Sequence, residues 1–205
     1  SGEITLAEKK LNKIREDFPK DLSPDQHRSF LHSIANAFAE MGKPDDALII
    51  IKDLPNEAEH SSILISAATA QAEAGNSKQA ILTADNINEV RYRAIVLTRI
   101  AVAQSKSGQN EKSRKTINRA LEAAKKIKLT FAQAFAYKHV CLALIKIYKF
   151  SGSKHFELAI KTATLISDDK IRAKTLWSLY WESMAINNYQ SQEKLFQMAE
   201  QATSE

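Results

Sequence analysis

A regularly spaced internal repeat constrains the fold of this chain more than any other feature of its sequence. Three segments align without gaps as IANAFAEMGKPDDA, AATAQAEAGNSKQA and IAVAQSKSGQNEKS, at residues 34–47, 67–80 and 100–113. A glycine occupies the same place in each copy, at the evenly spaced positions Gly42, Gly75 and Gly108. Such a period is typical of repeat proteins whose units bury their apolar faces against their neighbours. The chain is therefore predicted to be a stack of similar units.

Each copy has the pattern of two helices joined by a short turn. In the first copy Leu31, Ile34 and Phe38 recur at spacings of three and four residues, which places them on one side of a first helix, helix A. The glycine that follows suits the left-handed backbone of a helix C-terminus. Pro44 is then suited to the first turn of a second helix, helix B. Each repeat is predicted to be one such helix pair.

Two further copies are predicted at longer spacing. Val140-Cys141 and then Leu179-Tyr180 align with Ile100-Ala101, and both of these steps exceed the step between the regular copies. The segment from Asn110 to about Lys128 suits a helix B of nearly twice the usual length, which accounts for the longer step. A loop with an insertion is predicted at 150–153.

The chain is predicted to be all-α throughout. Gly and Pro together number nine, too few for the turns of a many-stranded β fold. Residues 3–17 have the pattern of a separate amphipathic helix that caps the stack. The sequence Ser23-Pro24-Asp25-Gln26 then has the pattern of a capping box at a helix start.

The repeats resemble the tetratricopeptide repeat (TPR) family. The matching positions are Ile34, Ala35, Phe38, Gly42 and Ala47, then Ala67, Ala68, Gly75, Ala80 and Ala84, then Ile100, Ala101, Gly108, Ile117 and Ala120. Gln71, Gln104 and Ser113 depart from the pattern, and the family's closing proline is missing. The resemblance implies a right-handed α-α superhelix, a solenoid of about five helix pairs plus an N-terminal capping helix. It implies a single domain, 1–205, with the N-terminal helix in 1–22, regular repeats in 23–122 and two irregular repeats with a C-terminal cap in 123–205.

The same resemblance implies a surface for a partner. In this family helix A lines the concave face, and the exposed positions of helix A contact a bound peptide or helix. By alignment these positions are Ser29, His32, Asn36, Glu40, Ile65, Thr69, Glu73, Thr98, Val102, Lys106, Lys138, Leu142, Trp177 and Trp181. An ordinary solvated face is the alternative for the whole set. For Trp177 and Trp181 the alternatives are packing within the last unit or an exposed patch for self-association or a partner.

Charge is distributed unevenly along the chain. Residues 1–90 carry 9 Lys and Arg against 15 Asp and Glu, residues 91–175 carry 19 against 5, and residues 176–205 carry 1 against 4. A basic patch is predicted at Arg114, Lys115, Arg119, Lys125, Lys126 and Lys128. This middle segment favours an acidic partner, which leaves open an acidic protein, nucleic acid, an anionic membrane surface or the acidic first half of another copy. Nucleic acid is the less favoured of these, because no nucleic-acid-binding motif occurs.

No constellation of residues in the sequence supports catalysis. The chain has no phosphate-binding glycine loop, no His pair at metal-ligand spacing and no nucleophile turn. The single cysteine, Cys141, stands in an apolar run and is interpreted as a small buried hydrophobic residue. No enzyme activity, metal or cofactor is predicted.

The sequence therefore predicts a non-catalytic scaffold or adaptor that binds a peptide or helix. The alternatives are binding of a polyanion through residues 91–175, or a regulatory or assembly domain of a larger protein. No apolar run reaches the roughly 20 residues that a transmembrane helix needs. The chain begins with Ser, so it is expected to be an excised or processed piece. A cytoplasmic location is favoured, with the periplasm as the alternative after removal of a signal peptide.

Overall fold

The computed structural model describes residues 9–11, 13, 22–53, 57–152 and 155–204. Every regular element in these ranges is a helix, and no strand occurs among them, which confirms the all-α prediction for this part of the chain. Residues 9–11 and 13 are helical. The rest of the helix predicted for residues 3–17 lies outside the described residues.

The chain divides into two compact units, Ser1–Asn88 and Glu89–Glu205. Unit 1 contains α1 (Pro24–Glu40), α2 (Pro44–Ile50), a 3-10 turn (Ile51–Asp53), α3 (Glu57–Glu73) and α4 (Ser77–Asp85). Unit 2 contains α5 (Val90–Lys106), α6 (Asn110–Lys125), α7 (Thr130–Ser151), α8 (His155–Ala163), α9 (Asp169–Ala185) and α10 (Tyr189–Ser204). The odd-numbered helices are the helices A of the repeats, and the even-numbered ones are the helices B.

Within each unit the helices pack as pairs in sequence order. Each helix A packs on its own helix B and on the helix A of the next pair. In unit 2, α5 therefore lies beside α7 and α7 beside α9. In each unit taken by itself, the helices A lie side by side in a layer, and the helices B pack behind it.

The turn inside each pair confirms the alignment of the repeats. Gly42, Gly75 and Gly108 all have left-handed backbones, with φ of 76°, 84° and 75°. In the fifth pair Asn187 takes the same place, with φ of 53°. In these four turns the amide of the next residue donates to a carbonyl five residues back; the N···O distance is 2.8 Å from Asn188 to Ser183. Asparagine tolerates this conformation better than most residues, so it replaces the glycine here.

Replacing a turn glycine tests whether the left-handed backbone is required. We expect Gly75→Ala to lower the free energy of unfolding by about 1 kcal/mol, because a Cβ disfavours this conformation. No atom lies within 4 Å of the added Cβ, so backbone strain is the only cost. Urea denaturation measures the change, and Gly75→Asn is expected to cost less than Gly75→Ala. Equal stability of the alanine variant and the original chain would contradict this account of the turn.

Helix lengths explain the irregular spacing of the later repeats. Helix α6 has 16 residues where α4 has 9, and this difference accounts for the longer step from the third copy to the fourth. The predicted long helix B is therefore confirmed. The loop predicted to begin at Phe150 is wrong at its start, because α7 continues to Ser151 and ends at Gly152, whose φ is 59°. In this last turn the hydroxyl of Ser151 donates to the carbonyl of Ile147 at 2.9 Å, and the amide of Gly152 donates to the carbonyl of Tyr148 at 2.8 Å.

Small side chains allow the helices to approach closely. Ala35, Ala68 and Ala101 are fully buried in the three regular repeats. Cys141 takes the aligned place in the fourth repeat, where it is buried and its Sγ lies 3.4 Å from the carbonyl oxygen of Ala159. Burial raises the pKa of the Cys141 thiol well above its ordinary value, which suits a packing role.

Candidate binding surface on the helices A of unit 2

Two neighbouring helices of unit 2 present the same pattern of side chains on one side. The residues are Ile95, Arg99, Val102 and Lys106 on α5, and Phe135, His139, Leu142 and Lys146 on α7. Intervals of four, three and four residues place each set on a single helical stripe. All eight side chains are exposed or half-buried. We call these eight residues the helix-A face.

The helix-A face consists of alternating rows. Ile95 and Phe135 form an apolar row, and Arg99 and His139 a basic row. The next turn of each helix repeats the alternation, with an apolar row of Val102 and Leu142 and a basic row of Lys106 and Lys146. Because α5 packs against α7, equivalent residues of the two helices lie on the same surface.

His139 on α7 is affected by charges on both stripes of the helix-A face. Burial lowers the pKa of His139, and the positive charges of Arg99, Lys138 and Lys146 lower it further. The effect of Arg99 acts from α5 to α7. The ring of His139 also stacks edge-on with that of Phe135, with centroids 4.7 Å apart. His139 therefore lies within a field of positive charge.

The positive charge of the helices A is not neutralised locally. Together α5, α7 and α9 carry ten Lys and Arg against two Asp and Glu. Each of the two acids already has a basic partner: Asp169 lies 2.7 Å from Arg172, and Glu182 lies 2.5 Å from Lys149. In the described part of the chain, Arg99, Lys106 and Lys146 form no ion pair. A net positive surface remains for a partner.

The basic patch predicted from the sequence has a different character. Arg114 and Lys115 lie 2.8 Å and 3.9 Å from Glu111 on the same helix, and Lys125 lies 2.6 Å from Glu122. These pairs belong to α6, a helix B. Arg119 also lies on α6, and Lys126 and Lys128 follow it, all three exposed. Arg114, Lys115 and Lys125 of the predicted patch are therefore paired within their own helix.

The corresponding side of unit 1 is polar and hydrogen-bonded. Nε2 of His32 lies 2.8 Å from Oγ of Ser62, which links α1 to α3, and Nδ2 of Asn36 lies 3.3 Å from Nδ1 of His32. The hydroxyl of Thr69 donates to the carbonyl of Ile65 at 2.7 Å. The remaining residues predicted here, Ser29, Glu40 and Glu73, are exposed. The two units therefore present chemically different surfaces.

Two further residues of unit 2 that are predicted to face a partner, Thr98 and Lys138, lie outside the helix-A face. Thr98 is only 4% exposed, and its hydroxyl donates to the carbonyl of Ile95 at 2.6 Å, so its prediction as an exposed contact is wrong. This hydrogen bond satisfies the hydroxyl and permits its burial. Lys138 is half-buried, with its ammonium 6.0 Å from the centre of the Phe135 ring.

The two tryptophans of α9 have different surroundings. Nε1 of Trp177 donates to Oγ1 of Thr203 on α10 at 3.1 Å, and its ring contacts Tyr180 and Phe196 edge-on. Trp181 is 61% exposed. Of the two alternatives open from sequence, packing therefore describes Trp177 and an exposed aromatic describes Trp181. Trp181 aligns with Val102 and Leu142 of the helix-A face.

Burial of histidines makes the stability of unit 2 dependent on pH. Burial is the main cause of the lowered pKa values of His139 and His155, so the unfolded chain takes up protons more readily. We expect full stability above the ordinary histidine pKa of about 6.5, and a loss as the pH falls below it. Urea denaturation at pH 7.5 and at pH 5.5 measures the loss. The loss of stability between the two pH values should be smaller in His139→Gln than in the original chain. An equal loss in the two proteins would contradict a contribution of His139 to this pH dependence.

The described residues contain no group of three His, Cys, Asp or Glu side chains that could hold a metal ion. None of the helices in the described ranges combines the length and the apolar character needed to cross a membrane. Comparison with known protein families, with curated proteins and with solved structures finds no significant match. The helix-A face is therefore interpreted from its own geometry.

Proposed function

We propose that this chain is a non-catalytic scaffold, a TPR-like right-handed superhelix that binds a protein partner on its helices A. The observation that carries the proposal is the helix-A face itself, where basic side chains alternate with exposed or half-buried apolar ones. The bases of the helix-A face lack ion-pair partners among the described residues, whereas Arg114, Lys115 and Lys125 on helix α6 have theirs nearby. Unpaired charge beside exposed apolar side chains is typical of a binding surface.

A second candidate is binding of a polyanion, nucleic acid or an anionic membrane. The excess of ten basic over two acidic residues on the helices A of unit 2 favours it. It requires affinity that falls steeply with salt, because neutralising phosphates releases counterions. Titration of poly-dT and of phosphatidylserine vesicles at two salt concentrations measures this, and binding that is absent or independent of salt excludes the candidate.

Site-specific photo-cross-linking tests the proposed scaffold. A photoreactive amino acid replaces Val102 on the helix-A face or, as the matched control, Asn118 on the exposed side of α6. In an extract of the source cells we expect a cross-linked protein from position 102 and none from position 118. Equal cross-linking from the two positions, or none from either, contradicts the proposal.

A further inference from the structure

The distances between successive rows of the helix-A face match the distances between side chains on one side of a ligand helix. Intervals of four, three and four residues, at about 1.5 Å per residue, separate successive rows by roughly 6, 4.5 and 6 Å. A ligand helix that lies along α5 and α7 presents its positions i, i+4, i+7 and i+11 at the same heights. An extended strand covers about 20 Å over four such contacts, against about 16.5 Å for the rows. The spacing therefore fits a helix.

The chemistry of the rows specifies the residues of that helix. Arg99 in one row, and Lys106 and Lys146 in the other, attract carboxylates, while His139, whose pKa is lowered, adds a neutral hydrogen-bonding ring to the row of Arg99. The row of Val102 and Leu142 between them offers apolar contact and no hydrogen-bonding side chain. A polyanion presents phosphate at every step and would place charge against this row, which costs desolvation. A ligand that alternates apolar and acidic groups satisfies all of the rows.

We propose that the helix-A face of unit 2 binds an amphipathic helix of a partner protein, whose contact side alternates apolar and acidic residues from one turn to the next. This inference rests on the proposed scaffold function and specifies its partner. The acidic residues contact the two basic rows, and the apolar residues contact the rows between them. Desolvation of the partly buried Val102 and Leu142 supplies affinity, and the charges supply register.

Designed peptides test the alternation directly. The matched peptide is an Ala- and Gln-based helix with Leu at i and i+7 and Glu at i+4 and i+11. One control replaces each Glu by Lys, and the other has the same composition with the Glu residues on the opposite side. Fluorescence anisotropy with the full chain is expected to give the matched peptide an affinity about tenfold or more above either control. Equal affinity for the matched peptide and the isomer overturns the inference.

Variants of the full chain locate the bound peptide. Leu142→Ser is expected to weaken binding of the matched peptide by about tenfold, and Lys106→Glu by about fivefold. Lys112→Glu on α6 is the matched control, because Lys112 is exposed and belongs to a helix B. Circular dichroism verifies that each variant is folded. Unchanged affinity in both helix-A variants overturns the inference.

Other occupants give different results. If poly-dT or phosphatidylserine vesicles bind more tightly than the matched peptide, and Leu142→Ser leaves that binding intact, the surface is a polyanion site and the inference is overturned. If the protein cross-linked at position 102 binds Leu142→Ser and Lys106→Glu undiminished, the inference fails and the scaffold function stands. If no protein is cross-linked at that position, the scaffold function fails as well.

Discussion

Reversing the charge of Lys106 and Lys146 together is expected to weaken binding of an acidic partner helix by roughly 50-fold at low salt. Both side chains are exposed on the helix-A face, and neither forms an ion pair within the described chain. Each substitution replaces an attraction of about 0.5 kcal/mol by a repulsion of similar size, and the two share one basic row. Coupling between the two neighbouring lysines brings the total loss of binding free energy to about 2.3 kcal/mol.

The control for this double variant has the same net charge. Lys112→Glu with Lys161→Glu reverses two exposed lysines on the helices B of unit 2, in α6 and α8. We expect its affinity to remain within about threefold of the original chain, because the remaining effect is long-range and screened by salt. Similar losses in the two double variants would mean that net charge, and not the helix-A face, determines binding.

Removing the phenyl ring of Phe38 is expected to have the largest effect on stability, a loss of about 3 to 4 kcal/mol. This ring has 0% exposure on α1 and lies in the slot that the resemblance assigns to an aromatic residue. The following repeats fill the slot with Gln71 and Gln104, which are also buried. Phe38 is therefore the only aromatic ring at this position among the three regular repeats. Urea denaturation of Phe38→Ala measures the loss.

Phe131→Ala is the matched control for Phe38→Ala. The ring of Phe131 is 68% exposed at the start of α7, so little apolar contact is lost with it. We expect a cost below about 1 kcal/mol. A similar cost for both substitutions would contradict the placement of Phe38 in the core.

The pairing of the helices could be predicted from sequence because the constraint is local. A glycine with a left-handed backbone and a fully buried alanine recur once in each regular repeat, and both are visible in the sequence. The turn of the fifth pair was not recognised, because Asn187 performs there the role of glycine.

A second signal recurs at the ends of three helices B. The helices B α4, α6 and α8 each end in Ala-x-x-Ile, with a buried isoleucine at Ile87, Ile127 and Ile166. The amide of each isoleucine donates to the alanine carbonyl three residues earlier, at 3.1 to 3.2 Å. This motif marks the junctions between the later repeats, where the glycine spacing fails.

The binding surface was predicted only in part, because its character depends on which helix carries each charge. The charge count of residues 91–175 ignores which bases have an acid three or four residues away on the same helix, as Glu111 and Glu122 have on α6. The sequence also does not reveal that Thr98 is buried, with its hydroxyl donating to the backbone carbonyl of Ile95 on the same helix. The alternation of apolar and basic rows becomes visible only once α5 and α7 lie side by side.

Methyl NMR of the full chain during titration with the matched peptide tests the central claim most directly. The account predicts that the largest shifts occur at the methyl groups of Ile95, Val102 and Leu142 on the helix-A face. Leu121 on α6 and Leu158 on α8, which are also half-buried, should stay unchanged. Shifts concentrated at Leu121 and Leu158, with the helix-A face unaffected, would contradict it.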